Sequence, residues 1–372
     1  MKILYVTTIG NTMSFFKDFI KELLNDGNIV DIATNDSISS VPESFKELKC
    51  RIFSLSCNRS PINKGNFIAI KQIRNLVKKE KYDIVHCHTP IAAVCTRIAC
   101  RKLREIQNVK VIYTAHGFHF YKGAPLKNWL IYYPIEKICS YFTDKLITIN
   151  KEDYKLAKKK MRAKEVCYVP GVGIDISRFK NVKVDRNVKR REIGVPEDAI
   201  LLASVGELIE RKNHRLIIQG ISQIDNNRIH YIIAGNGPLL SILQKVAKQY
   251  NLEHRIHFLG YRNDIAELYK ASDICCLPSF HEGLPVALME AMACGLPVLC
   301  SRIRGNDDLI NSYGGFGFSP DNVDECKQAI EKILNSDMVS LGINNQRNIK
   351  KYSNEKVIAI MKKIYGIKYK GI

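Results

Sequence analysis

Short, continuous apolar runs alternate with amphipathic stretches along almost the whole chain, and few architectures tolerate that pattern. In the first half the runs fall at residues 3–7, 29–34, 51–55, 84–88, 109–114, 146–150 and 166–169. Helical periodicity fills the gaps, for example at 15–24, 68–79 and 91–103. A strand that is apolar along its length is buried on both faces. Such strands separated by helices predict an α/β fold, a parallel sheet with helices on both sides. In that arrangement ligands sit beyond the carboxyl ends of the strands.

The second half repeats the alternation. Strands are expected at 200–205, 229–234, 255–258, 273–277 and 297–300, with helices at 214–224, 238–250, 265–270 and 285–293. At 372 residues the chain exceeds what one hydrophobic core usually serves. Pro170-Gly171-Val172-Gly173 and the basic stretch after it mark a boundary, because Pro and Gly interrupt regular structure there. The expectation is two Rossmann-like domains, 1–170 and 171–352, facing a central cleft where a ligand would bind.

Composition excludes several classes. Apolar residues at 46% and charged residues at 25% are ordinary globular values, so disordered and fibrous classes are out. No apolar run approaches the roughly 20 residues of a membrane-spanning helix. The opening MKILYVTTIG reads as a first strand, not a secretion signal. The 12 cysteines form no C-x-x-C pair and sit mostly in apolar runs, as expected of buried free thiols in a reducing cytosol. No metal site is expected. The net charge is +20, and it is uneven: residues 1–170 hold 29 Lys+Arg against 15 Asp+Glu. That surplus has two readings, compositional bias or an anionic partner such as a membrane surface, a phosphorylated lipid or nucleic acid.

One segment carries most of the chemistry, SFHEGLPVALMEAMACGLPV at 279–298. It follows an apolar strand. Gly283 and Pro285 end the strand and open a helix, whose free N–H groups make an anion site. Glu282 precedes the helix, and Glu290 lies a little over two turns further on, on roughly the same side. Carboxylates flanking a phosphate-ready helix start suit a ligand with hydroxyls around a diphosphate, which describes a nucleotide-sugar. The other reading is a plain helix with two acids, one of them favoured by the dipole.

Glu282 and Glu290, seven residues between them, resemble the E-x7-E motif of retaining glycosyltransferases of the GT-B fold, sequence family 4, and the resemblance extends over nearly the whole chain. It implies that Glu282 contacts the donor sugar, that the Gly283–Leu284–Pro285 helix start holds the diphosphate, and that Glu290 contacts the ribose. The segment 203–214, ASVGELIERKNH, resembles the family's glycine turn around Gly206. Lys212 matches a phosphate-binding Lys, but Glu207 stands where relatives often carry Arg, so Arg211 is the candidate for the second cation. Gly235, in the Gly-x-Gly-Pro turn, is expected to border the nucleotide. Tyr261 or Arg262 is expected to pack on the base.

In the first domain, His116 ends a strand in YTAHGFHFY. The matching His of the family lies at the reaction centre, which makes His116 catalytic alongside Glu282 and Lys212. Gly10, Phe118 and His119 are expected on the acceptor side, and His86 and His88 as structural or acceptor-side groups. The aromatic and basic stretch 118–133 reads either as a buried amphipathic helix or as a surface for a lipid-linked acceptor. The tail 353–372 is expected to form a helix packing back on the first domain, with 358–372 also showing the mixed apolar and Lys pattern of a membrane-surface segment.

Together these readings imply sugar transfer, with retained anomeric configuration and no cofactor, from a nucleoside-diphosphate sugar to a lipid-linked saccharide. UDP carrying a hexose or N-acetylhexosamine is the expected donor. The setting implied is polysaccharide assembly in the cytoplasm, in peripheral contact with the anionic inner membrane face. The alternatives are a nucleotide-sugar epimerase or hydrolase of the same fold, a lectin-like binder and a basic nucleic-acid-binding protein. No nucleic-acid module is recognisable, and nucleic acid is not an expected partner.

Overall fold

The computed structural model describes residues 1–367. The chain divides into two compact units, one made of Met1–Gly173 with the segment from Asn354 onward, the other of Ile174–Ser353. The tail residues 368–372 of the expected membrane-surface segment lie outside the described residues.

The first unit holds seven strands: β1 (Lys2–Ile9), β2 (Ile29–Asn35), β3 (Ile52–Ser54), β4 (Ile84–His88), β5 (Lys110–Ala115), β6 (Lys145–Thr148) and β7 (Glu165–Tyr168). Their order in the sheet is β3-β2-β1-β4-β5-β6-β7, and all pairs are parallel. β1 and β4 are adjacent although two strands intervene in sequence, with Ile3 opposite Ile84. That is the point where the strand order reverses, and a crevice opens there in such sheets. The apolar runs form strands because both faces are covered: one by a cluster around Leu4, Val85 and Val111, the other by a cluster around Ile3, Tyr5 and Ile84.

The helix Asn354–Tyr365 closes the second face. Val357, Met361, Ile364 and Tyr365 join the cluster of Ile3 and Tyr5. Lys362 pairs with Glu22 and Asp26 at 3.1 and 2.8 Å. The Tyr365 hydroxyl donates to that of Tyr5 at 3.0 Å, 360 positions away. Within the second unit its two ends are joined, Ile174 donating to the Tyr352 carbonyl.

The second unit repeats the design with β8 (Ile200–Val205), β9 (Ile229–Ala234), β10 (Ile256–Gly260), β11 (Ile274–Leu277), β12 (Val298–Ser301) and β13 (Gly315–Phe318). The order is β10-β9-β8-β11-β12-β13, so the reversal lies between β8 and β11. β13 has no counterpart among the expected strands. Its sequence GFGF has no continuous apolar run, because a Cβ at Gly315 would lie 2.0 Å from the Val298 carbonyl oxygen. The helix expected at 15–24 begins only at Lys17, after a tight 3-10 turn over Gly10–Phe16.

Candidate active site

In the second unit the carboxyl ends of β8 and β11 lie side by side at the reversal point. After β11 the chain turns through Ser279–Pro285 into the helix Val286–Cys294. Pro285 is extended, at ψ 117°, and stands just before the helix. No side chain caps this helix and no acid lies in its first turn, so its leading N–H groups keep their donor capacity for a ligand.

Glu282 is almost buried, at 9% exposure. One of its carboxylate oxygens accepts from both Lys212 Nζ, at 2.8 Å, and Arg211 Nη1, at 2.9 Å. Burial opposes charge on Glu282, but the neighbouring Lys212 and Arg211 outweigh it and hold the carboxyl below the usual range. The Glu282 carbonyl accepts from Arg304 at 3.2 Å. Glu207 is exposed, whereas Arg211 has joined Lys212 on a single acid. Two cations and a carboxylate therefore converge beside an uncapped helix start. Ligand oxyanions can compete for those cations, which frees the carboxylate to accept from hydroxyls.

Glycines make this packing possible. A Cβ at Gly206 would lie 3.2 Å from Lys212 Cε, so Gly206 leaves the lysine its channel. Gly235 has φ +156°, and a Cβ there would lie 2.0 Å from the Gly206 carbonyl oxygen. The turns after β8 and β9 thus touch backbone to backbone.

Glu290 is partly buried in the same helix, and no hydrogen bond or ion pair engages its carboxylate among the described residues. Burial pushes its carboxyl up to about 7, against the pull of Arg178. A half-ionised, unpartnered carboxyl is a ready acceptor for a ligand hydroxyl. Tyr261 is 74% exposed and presents its ring. Arg262 is committed elsewhere, to Asp264 and to Glu192 at 2.7 Å. Tyr261 presents its ring to a ligand, whereas the Arg262 donors are already engaged.

In the first unit, His116 follows β5, and its Nε2 lies 3.1 Å from His88 Nδ1. Burial pushes His116 down to about 4 and His88 well below its ordinary value, so both rings are neutral at pH 7. Among the described residues His88 Nε2 is buried with no hydrogen-bond partner, and its ring stacks on Phe16 at 4.0 Å. His86 bonds Tyr365 and Thr114 and is structural. Gly10 does not offer its amide to a ligand: that N–H donates to the Ser39 carbonyl, and a Cβ would lie 2.4 Å from the same oxygen. Phe118 is buried against Phe120, while His119 is exposed and stacks on Tyr132 at 4.5 Å.

Sequence reasoning missed Arg178, Arg304 and Thr89. Thr89 has φ +63°, a strained value for a β-branched residue, at the end of β4. Its hydroxyl holds the Thr8 amide at 3.0 Å and the Thr8 hydroxyl at 2.7 Å, tying together the two strands at the reversal point. The following Pro90 did not announce it, since proline keeps the residue before it out of helical geometry but favours a negative φ there.

Comparison with known proteins identifies the family and the fold. Residues 2–150 match the family described as Glycosyl transferase 4-like, and residues 185–356 the family Glycosyl transferases group 1. The chain is 32% identical to EpsD of Bacillus subtilis (strain 168) over 98% of its own length and 96% of that protein. It is 31% identical to the UDP-Gal:alpha-D-GlcNAc-diphosphoundecaprenol alpha-1,3-galactosyltransferase of Escherichia coli, over 76% of each chain. The structure of HepE from Anabaena in complex with UDP and glucose superposes with a TM-score of 0.78 at 20% identity, covering 98% of both chains. The two parallel-sheet units make up a GT-B fold, and the chain belongs to the group 1 glycosyltransferases, enzymes that transfer a sugar.

Proposed function

We propose that this enzyme moves a hexose or N-acetylhexosamine from a UDP-sugar to a lipid-linked saccharide, with retention, in polysaccharide biosynthesis. The observation that carries the reading is the convergence of Arg211, Lys212 and Glu282 beside the uncapped helix start. UDP as the carrier is supported by the UDP complexes of HepE, and a lipid-linked acceptor by the name of the E. coli relative. Among the described residues no helix is long and apolar enough to cross a membrane. The enzyme would work in the cytoplasm, in peripheral contact with the anionic inner membrane face, where the basic first unit favours it.

In this reading the donor diphosphate takes Lys212 and Arg211 from Glu282. The leaving diphosphate gains charge as the sugar departs, and the two cations, the Gly283 and Leu284 amides and the N–H groups that open the helix at Val286 stabilise it. Glu282, freed, accepts from sugar hydroxyls and supports positive charge near the reacting carbon. Glu290 accepts from the ribose, with Tyr261 on the base and Gly206 and Gly235 bordering the nucleotide. His116, neutral at pH 7, hydrogen-bonds the sugar, and the acceptor proton passes to the departing diphosphate oxygen. Phe118 and His119 belong to the acceptor side.

A thermal-shift panel of nucleotides tests this. UDP at 100 times its dissociation constant is expected to add roughly 2.7 kcal/mol of stability. If no nucleotide raises the melting temperature, the proposal falls.

The Glu290 role predicts a pH dependence. Its folded-state value of about 7 lies above the ordinary 4.5, so the stability it contributes is full below the ordinary value and is lost as pH rises through about 7. Ribose binding favours the ionised form instead. UDP affinity measured by calorimetry is therefore expected to weaken about tenfold from pH 8 to pH 6, the ratio of ionised fractions. Glu290→Gln should bind UDP more weakly at pH 8 and lose most of that dependence. An identical pH profile in wild type and variant would remove Glu290 from the ribose.

A further inference from the structure

The first unit contains a cavity of about 210 Å³ whose lining, Phe118 and His119 apart, the reaction scheme above does not use. Phe67, Ile91, Val94, Ile98, Ile131 and Ile135 form its walls, and the loop Gly117, Phe118, His119, which continues from His116, closes one end. The Asn66, Tyr113 and Glu136 side chains in its lining are already engaged. Asn66 accepts from the Asn58 amide and donates to the Ser60 carbonyl. Glu136 accepts from Arg97 and from the Tyr113 hydroxyl. A polar ligand would meet almost no free partner here, and would lose its hydration for nothing. A hydrocarbon loses nothing polar.

The cavity is open to an apolar surface. The helix Leu126–Ser140, whose Ile131 and Ile135 form one wall, carries on with exposed Leu126, Leu130 and Ile138, and Leu130 is 68% exposed. Contiguous apolar surface of this kind marks an interaction site. It is bordered by positive charge. Lys64 and Lys71 flank Phe67 at helical spacing and Lys127 flanks Ile131; all three are exposed and unpaired among the described residues.

Resting on the lipid-linked acceptor reading above, we propose that this cavity takes the polyisoprenoid chain of the acceptor. Its diphosphate meets the bordering lysines, and its saccharide end leads along the 117–119 loop to His116. The groove follows directly from the loop of the candidate acceptor site, and its combination of dry walls and a cationic border matches an amphiphile with a hydrocarbon tail and an anionic head.

The test uses the full chain and a benzophenone-tagged C20 isoprenyl diphosphate in dilute detergent. Photolabelling is expected on peptides containing residues 61–70, 90–98 or 131–136, with competition by unlabelled geranylgeranyl diphosphate. Labelling elsewhere, or none, overturns the proposal. Val94→Trp, which fills the cavity, is expected to raise the ratio of KM for a long-chain acceptor to KM for a short alkyl acceptor at least tenfold. An unchanged ratio overturns the proposal. So does a dimer in sedimentation that Leu130→Asp dissociates, because the face would then belong to a second copy. Labelling of the groove without turnover on any lipid-linked acceptor would sink the acceptor reading and leave the isoprenoid site standing.

Discussion

Lys212→Ala is expected to lower kcat by 10²- to 10³-fold, about 3–4 kcal/mol of barrier, the usual loss when one preorganised donor to a developing anion is removed. Lys212 is the better placed of the two cations. Its side chain is 13% exposed against 32% for Arg211, so its charge is less screened, and Gly206 holds a channel open for it. Arg211→Ala is therefore expected to cost less. The Lys212 variant also leaves Glu282 with one cation at 2.9 Å where it had two, which lets burial raise its carboxyl toward the ordinary range. Steady-state rates of UDP release, with and without acceptor, measure the effect. A loss below fivefold would take Lys212 out of the reaction.

The largest effect on stability is expected in the first unit. Arg97 is 1% exposed; it donates to Glu136 at 2.8 Å and to the Ala93 carbonyl, and its guanidinium lies 4.2 Å from the Tyr113 ring centre. Arg97→Ala strands the Glu136 carboxylate in the interior and is expected to destabilise the first unit by about 3–5 kcal/mol. Trp129 is the only tryptophan and packs on Phe120 in this unit, so its fluorescence reports unfolding here without interference from the second unit. Arg97 Nη2 has no hydrogen-bond partner among the described residues, so the pair is imperfectly satisfied. Replacing both partners, Arg97→Met with Glu136→Leu, is expected to recover most of the loss. A single variant as stable as wild type would show that water reaches Glu136.

The two predictions differ in how far the sequence foretells them. The strands were legible because a parallel strand covered on both faces must be apolar throughout, and 200–205, 229–234 and 84–88 coincide with β8, β9 and β4. β13 was not legible, since a strand needing glycine against its neighbour's carbonyl has no apolar run to show. The residue types of the candidate site could be read locally, but their pairing could not. Glu282 meets Arg211 and Lys212 across about 70 positions, and spacing carries no information at that range. Arg262 and Tyr261 looked alike in sequence. Only Asp264 and Glu192, gathered by the fold, separate the engaged side chain from the presented one. Arg97 sits inside an apolar helix pattern, and nothing local announces its partner 39 positions on.

The helix Asn354–Tyr365 sets an order of events during synthesis. It completes the face of the first sheet, yet it leaves the ribosome after residues 174–353 have been made. At about 5–20 residues per second that interval lasts roughly 10–40 s. Throughout it Tyr5, Phe16 and Phe19 lack their cover, while the second unit, one uninterrupted stretch of chain, is free to mature. As the chain emerges, the second unit can therefore close as one stretch, while the sheet face that carries Tyr5 stays open until the helix Asn354–Tyr365 follows.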